Sequence, residues 1–258
     1  MATYDLELTG VPALVTGGGA GIGRATAILL AGLGARVAIL DRDGNAAAAA
    51  AREINTSSGT AIALSADVCY EKDVIAAVAA AEARLGVIRI LVNNAGIGER
   101  RPMLDLPLDG WKDVIDVNLT SVFHLTQIVV RRMVAAQVAG SIVNVASVAG
   151  LSGVLNRSSY AASKHGVVGL TRTLALELAA HHIRVNAVAP GIVSTKLTAA
   201  LLSDQNAAAR SAAAHPLGRV AEPREVADAI VFLASQRASF ITGSVLQVDG
   251  GFLAGKSA

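Results

Sequence analysis

The chain has 258 residues, of which 53% are hydrophobic, 16% charged and only 3% aromatic; this composition excludes disorder and calls for a core of Ala, Val, Leu and Ile. The formal net charge is +2 with no Lys/Arg cluster, so nucleic acid is not an expected partner despite a pI near 8.9. A single cysteine, Cys69, excludes an internal disulfide and fits a reducing compartment.

Mean hydropathy is +0.52, yet the apolar stretch from Val74 to Val92 is interrupted by Glu82, Arg84 and Arg89, and no membrane-spanning helix is expected. The opening "MATYDLELTGVPALVTG" has no basic segment followed by a long apolar one, so a cytoplasmic location is expected. There is no Pro- or Ser-rich linker, and the length suits one domain over residues 1–258.

In chain order, short β-branched runs alternate with longer Ala/Leu-rich stretches. "PALVTG" precedes "GRATAILLAGLG", "ARVAILD" precedes "GNAAAAAAREIN", and "AIALSADV" precedes "EKDVIAAVAAAEARLG". The alternation continues through "IRILVNNAG", a helix around Trp111 to Val134, "GSIVNVAS", a helix from about Ser159 to Ala180, "IRVNAVAPG" and "SVLQVDGG". Such βα repetition predicts a parallel sheet, and strands this uniformly apolar need both faces covered. The expected fold is therefore α/β: a Rossmann-like, doubly wound, seven-stranded parallel sheet with helices on both faces. The alanine run Ala46–Ala51 falls in a helix and needs no function.

Between the first strand and first helix lies "TGGGAGIG", Thr16 to Gly23. Glycines there allow a tight turn and let helix-start amides approach a pyrophosphate, which the helix dipole also favours. The spacing of Gly17, Gly21 and Gly23 differs from the strict G-x-G-x-x-G fingerprint, and no Lys-Ser/Thr pair follows as in a P-loop. The strand-to-helix position nevertheless points to a dinucleotide. Asp41 closes the second strand, near the ~20-residue spacing at which an acid bonds the adenosine ribose. A carboxylate accepts from a 2′-hydroxyl and repels a 2′-phosphate, so NAD is expected over NADP, although Arg42 follows.

"SSYAASKHG", Ser158 to Gly166, sets Tyr160 and Lys164 on one helical face. Together with the glycine spacing, "NNAG" at Asn93 to Gly96, "NVAS" ending at Ser147 and Asn118 in "DVNLTSVF", these residues make the chain resemble the short-chain dehydrogenase/reductase family over essentially its whole length. The resemblance implies a catalytic tetrad of Asn118, Ser147, Tyr160 and Lys164. It also implies that Gly17, Gly21, Ile22, Gly23 and Asp41 hold the cofactor. Asp67 and Val68 would lie beside the adenine, Asn94 and Gly96 along the cofactor, and "PGIVST", with Pro190, Gly191, Val193 and Thr195, around the nicotinamide.

On that reading Tyr160 moves the substrate hydroxyl proton while the cofactor carries the hydride. Its phenol, ordinarily titrating near 10, needs a nearby positive charge, expected from Lys164 and the oxidised nicotinamide. By resemblance Lys164 also bonds the nicotinamide ribose, Ser147 orients the substrate oxygen and Asn118 holds a relay water. No metal is expected, because His124, His165, His181, His182 and His215 form no ligand set. "VASVA" around Ser147 is not a nucleophile elbow.

Val193 to Arg219 is a candidate substrate lid, mostly small and apolar, which suggests a pocket without a strong anion clamp. Arg100, Arg101 and Arg157 could reach an acidic group, but surface arginine is the commoner outcome and none is assigned a role. The substrates left open are a secondary alcohol or ketone, a sugar or polyol, and a 3-oxoacyl thioester. Acyl-carrier reductases of the family usually prefer NADP and carry a basic residue in the glycine loop, where Gly18, Gly19 and Ala20 stand here; an alcohol, polyol or ketone dehydrogenase is favoured. A catalytically silent NAD sensor or scaffold is the reading of another class, opposed by the intact tetrad. The resemblance further implies a homotetramer, with the "SVLQVDGGFLAG" tail near an interface.

Overall fold

The computed structural model describes residues 8–255. Its strands are β1 (Pro12–Thr16), β2 (Arg36–Asp41), β3 (Thr60–Ser65), β4 (Ile90–Asn93), β5 (Gly140–Val145), β6 (Ile183–Pro190) and β7 (Val245–Val248). All pairings are parallel, in the order β3-β2-β1-β4-β5-β6-β7. The expected seven-stranded doubly wound sheet is what forms.

The helices are α1 (Gly21–Gly32), α2 (Gly44–Thr56), α3 (Glu71–Leu85), α4 (Leu108–Ile115), α5 (Ser121–Ala135), α6 (Ser158–Leu178), α7 (Ala199–Leu202), α8 (Gln205–Ala213) and α9 (Pro223–Ala234). Side-chain alternation along the strands builds two cores. Ala13, Val15, Val37 and Ile39 face one layer with Ala27 and Leu30 of α1, Ala47, Ala50 and Ile54 of α2, and Val226 and Ile230 of α9. Leu14, Ala38 and Leu40 face the other with Val74 and Val78 of α3, Leu125 and Val129 of α5, and Leu174 of α6. Both strand faces are thus covered, which is why these segments lack polar alternation.

Local signals start the helices. Asp43 accepts hydrogen bonds from the Asn45 and Ala46 amides at the head of α2. Glu222 and Glu225 form a capping box around Pro223 at the head of α9. That helix has no counterpart among the elements expected from the sequence. The helix expected at Trp111 to Val134 begins at Leu108 and contains a π-helical turn, Asp116–Thr120, between α4 and α5. No helix among the described residues is long and apolar enough to cross a membrane.

Beneath the strand ends lies a buried polar ladder. Asn93 and Asn144 are register partners on β4 and β5. Asn93 Nδ2 donates to Asn144 Oδ1 at 2.8 Å and to Thr126 Oγ1 at 3.0 Å, and Asn144 Nδ2 donates to Thr171 Oγ1 at 2.9 Å. The ladder joins two strands to α5 and α6, giving Asn93 a structural role.

Candidate active site

A cavity of about 950 Å³ opens beyond the carboxyl ends of the strands, where the sheet order reverses between β1 and β4 and where open α/β sheets bind ligands. One wall is the glycine loop. Gly17 has φ +59, a left-handed conformation suited to glycine. A Cβ on Gly23 would lie 2.2 Å from the Gly17 carbonyl oxygen and 2.5 Å from Asn94 Nδ2, so only glycine fits there. Asn94 Nδ2 donates to the carbonyls of Thr16 (2.9 Å) and Gly17 (3.1 Å), and Thr16 Oγ1 accepts from the Asn94 and Ala95 amides, both at 3.0 Å. Asn94 therefore holds the loop in shape.

At the end of β2, Asp41 Oδ2 accepts from the Gly19 amide and Oδ1 from the Asp43 amide, both at 3.0 Å. Each carboxylate oxygen retains acceptor capacity for a ribose hydroxyl. Gly17, Gly21, Ile22, Asp41, Asp67, Val68, Asn94, Gly96, Pro190, Gly191, Val193 and Thr195 all line the cavity; Gly23 is buried behind them. A glycine cradle at a helix start, with a carboxylate one strand away, fits a dinucleotide.

Ser147, Tyr160 and Lys164 also line the cavity. Ser147 caps a short 3₁₀ turn: its Oγ accepts from the Ala149 amide at 3.1 Å, leaving its own hydrogen free to donate. Lys164 is buried, and its Nζ donates to the Val145 carbonyl at 2.7 Å. Loss of water lowers its pKa to about 8. Burial pushes the Tyr160 phenol above its ordinary value, while the Ser147 hydroxyl and the positive charge of Arg157 pull it down.

Arg157 joins Lys164, the cation expected from the sequence, beside the Tyr160 ring. Lys164 Nζ stands 5.7 Å from the Tyr160 ring centroid and donates to the Val145 carbonyl, and the Arg157 guanidinium stands 5.2 Å from that centroid, where its charge pulls the phenol down. Arg157, assigned no role from the sequence, lines the cavity.

Asn118 lies in the π turn and is fully buried. Its Oδ1 accepts from the Ile97 amide and its Nδ2 donates to the Ile97 carbonyl, both at 2.9 Å, and to Ser163 Oγ at 3.2 Å. Both amide hydrogens are therefore engaged. The side chain ties the loop after β4 to α6, with Gly96 against it, instead of projecting into the cavity.

The expected lid at 193–219 contains α7 and α8, and Leu197, Leu201, Ala207 and Arg210 from it line the cavity. His215 anchors this segment. Its Nδ1 hydrogen-bonds the Ser211 carbonyl at 2.7 Å, and its Nε2 accepts from the Ile192 amide at 3.1 Å. No cluster of three or more metal-ligating side chains occurs among the described residues.

A family model described as enoyl-(acyl carrier protein) reductase matches residues 17–253. Three curated relatives align along nearly the whole chain. Cyclohexanol dehydrogenase of Acinetobacter sp. (strain SE19) is 44% identical, covering 93% of this chain and 94% of its own. Cis-4-hydroxycyclohexanecarboxylate dehydrogenase of Sinomonas cyclohexanicum is 46% identical, covering 94% and 96%. A 3-oxoacyl-acyl-carrier-protein reductase of Vibrio harveyi is 42% identical, covering 95% and 98%. Among solved structures, a Beutenbergia cavernae protein with NADP bound at low occupancy superposes with a TM-score of 0.92 at 42% identity, covering 97% of this chain and 99% of that one.

Proposed function

Because the chain belongs to the short-chain dehydrogenase/reductase family, we propose that it is an NAD(H)-dependent oxidoreductase interconverting a secondary alcohol or polyol and its ketone, with Tyr160 as acid/base. It is an oxidoreductase acting on CH–OH donors with a nicotinamide cofactor. The observation that carries the finer reading is the convergence of Ser147, Tyr160 and Lys164 on one cavity with the glycine loop and Asp41.

The bound nicotinamide supplies hydride acceptance in oxidation and hydride donation in reduction. The protein handles the proton. In oxidation the Tyr160 oxygen takes the substrate hydroxyl proton as the carbonyl forms, and in reduction it returns one. Ser147, whose hydroxyl reaches the Tyr160 phenol, would turn its hydrogen to the substrate oxygen and fix that oxygen beside Tyr160. Lys164, with one hydrogen on Val145, has two left for ribose hydroxyls. Asn118 positions the Ile97 loop that borders the reacting centre.

Asp41 supports NAD over NADP, since a carboxylate at the end of β2 would accept from a 2′-hydroxyl and repel a 2′-phosphate. A 3-oxoacyl thioester reductase using NADPH is the second reading, favoured by the Vibrio harveyi relative and opposed by Asp41. A silent NAD sensor would bind cofactor without turnover. The test is absorbance of the reduced nicotinamide with cyclic alcohols, polyols and a 3-oxoacyl thioester, each with both cofactors, on wild type and Tyr160→Phe. The variant is expected to bind NAD normally and to lose at least ~100-fold in kcat; near-normal turnover refutes the assignment. A cytoplasmic homotetramer is part of the proposal, checked for assembly by light scattering.

A further inference from the structure

Beyond Asp41 and Asp67, which stand at the ends of β2 and β3, the cavity lining holds no carboxylate among the described residues; apart from Arg42 beside Asp41 and the buried Lys164, its cations are Arg157 and the exposed Arg100, Lys196 and Arg210. Arg157 differs from the other three in being half-buried and held in place. Its guanidinium lies against the Tyr160 ring, and its Nη1 is 3.1 Å from where a Cβ on Gly98 would stand, so Gly98 leaves the space it occupies. Other arginines find carboxylates: Arg101 pairs with Glu99 at 3.0 Å and Arg219 with Glu225 at 2.7 Å. The Arg157 guanidinium has neither an ion pair nor a hydrogen bond among the described residues.

A guanidinium partly removed from water with five unused donors has a desolvation cost that an anion would offset. The planar fork suits a carboxylate, which it binds through two parallel bonds. Close by in the lining are apolar side chains, Val154, Leu155 and Leu197, which remain exposed at 37%, 81% and 52%. They suit an apolar body between the carbinol and the anion.

We infer that Arg157 is a specificity-determining residue and that the preferred substrate is a secondary alcohol bearing a carboxylate on an apolar frame, the carboxylate seated on the Arg157 guanidinium. This rests on the function proposed above. The charge sits beside the Tyr160 ring, with Gly98 and Leu197 next to it, so the anion it takes is assigned to the substrate rather than to the dinucleotide.

The test uses the full chain with saturating NAD and two probes of one carbon frame, cyclohexanol and 4-hydroxycyclohexanecarboxylate (both isomers), on wild type, Arg157→Gln and Arg157→Lys. The ratio of kcat/KM for acid over neutral alcohol is expected to exceed one in wild type and to fall about thirtyfold in the glutamine variant. The loss should lie mainly in KM for the acid, and the lysine variant should recover part of it. Added salt is expected to lower the ratio for wild type and leave it flat for Arg157→Gln. An unchanged ratio, with both probes losing equally and the pH profile shifting, overturns the inference and leaves Arg157 acting only through Tyr160. A parallel loss of NAD affinity overturns it in favour of a cofactor clamp. NAD binding without oxidation of any alcohol by wild type instead refutes the underlying functional reading.

Discussion

Lys164 offers a quantitative check on the electrostatics of the site in the absence of cofactor. Burial lowers its pKa from 10.5 to about 8, and one pKa unit corresponds to about 1.4 kcal/mol, so the ammonium in the folded protein is disfavoured by about 3 kcal/mol. The unfolded chain binds the proton more tightly, so between the two pKa values it holds more protons than the native state and stability rises with pH. The penalty is fully present below pH 8 and is relieved as pH climbs toward 10.5. From pH 7 to pH 10 about 2.5 kcal/mol is recovered. Lys164→Met lacks this proton, so the stability of wild type relative to the variant should increase by that amount across the interval. Urea unfolding at half-unit pH steps, with both proteins free of nucleotide, measures it. The Tyr160 phenol is shifted upward, contributes with the opposite sign only above about pH 10, and is common to both proteins. A wild-type-minus-variant difference that stays flat from pH 7 to pH 10 would show that Lys164 is not desolvated as described.

Two further substitutions address the cofactor end. Asp41→Ser removes the acceptor of the Gly19 and Asp43 amides and the charge proposed to meet the ribose, so the NAD-over-NADP ratio of kcat/KM is expected to drop at least ~10-fold; an unchanged ratio contradicts the proposal. Gly23→Ala forces a Cβ to within 2.2 Å of the Gly17 carbonyl oxygen. It should cost about 1–3 kcal/mol in denaturant unfolding and weaken NAD binding in a titration, whereas wild-type values for both would mean the loop has slack.

The sheet was readable because Val37 and Ile39 point to one covered face while Ala38 and Leu40 point to the other, leaving β2 an unbroken apolar run. α9 carries its signals too, in Glu222, Pro223 and Glu225. The π turn was beyond reach: its extra residue leaves the hydrophobic spacing of α4 and α5 nearly intact, and only contact of Asn118 with Ile97 and Ser163 reveals its purpose. At Tyr160 the helical spacing points to Lys164 four residues ahead, and the structure adds Arg157 three residues behind. Helical neighbours lie on both sides. The two head groups end differently: Lys164 donates to the Val145 carbonyl, and Arg157 has no hydrogen-bond or ion-pair partner among the described residues.

The amide rungs at Asn93 and Asn144 act as a proofreading device for assembly. Sliding β4 by one residue against β5 would swing Asn93 away from Thr126 and Asn144 and strand two carboxamides in a dry interior. Aliphatic side chains of similar size tolerate such a slip far better, because one methyl group packs much like another. Misaligned sheets are thereby selected against before any ligand arrives, and the loops after both strands, which carry Asn94 and Ser147, reach the cavity in a single alignment.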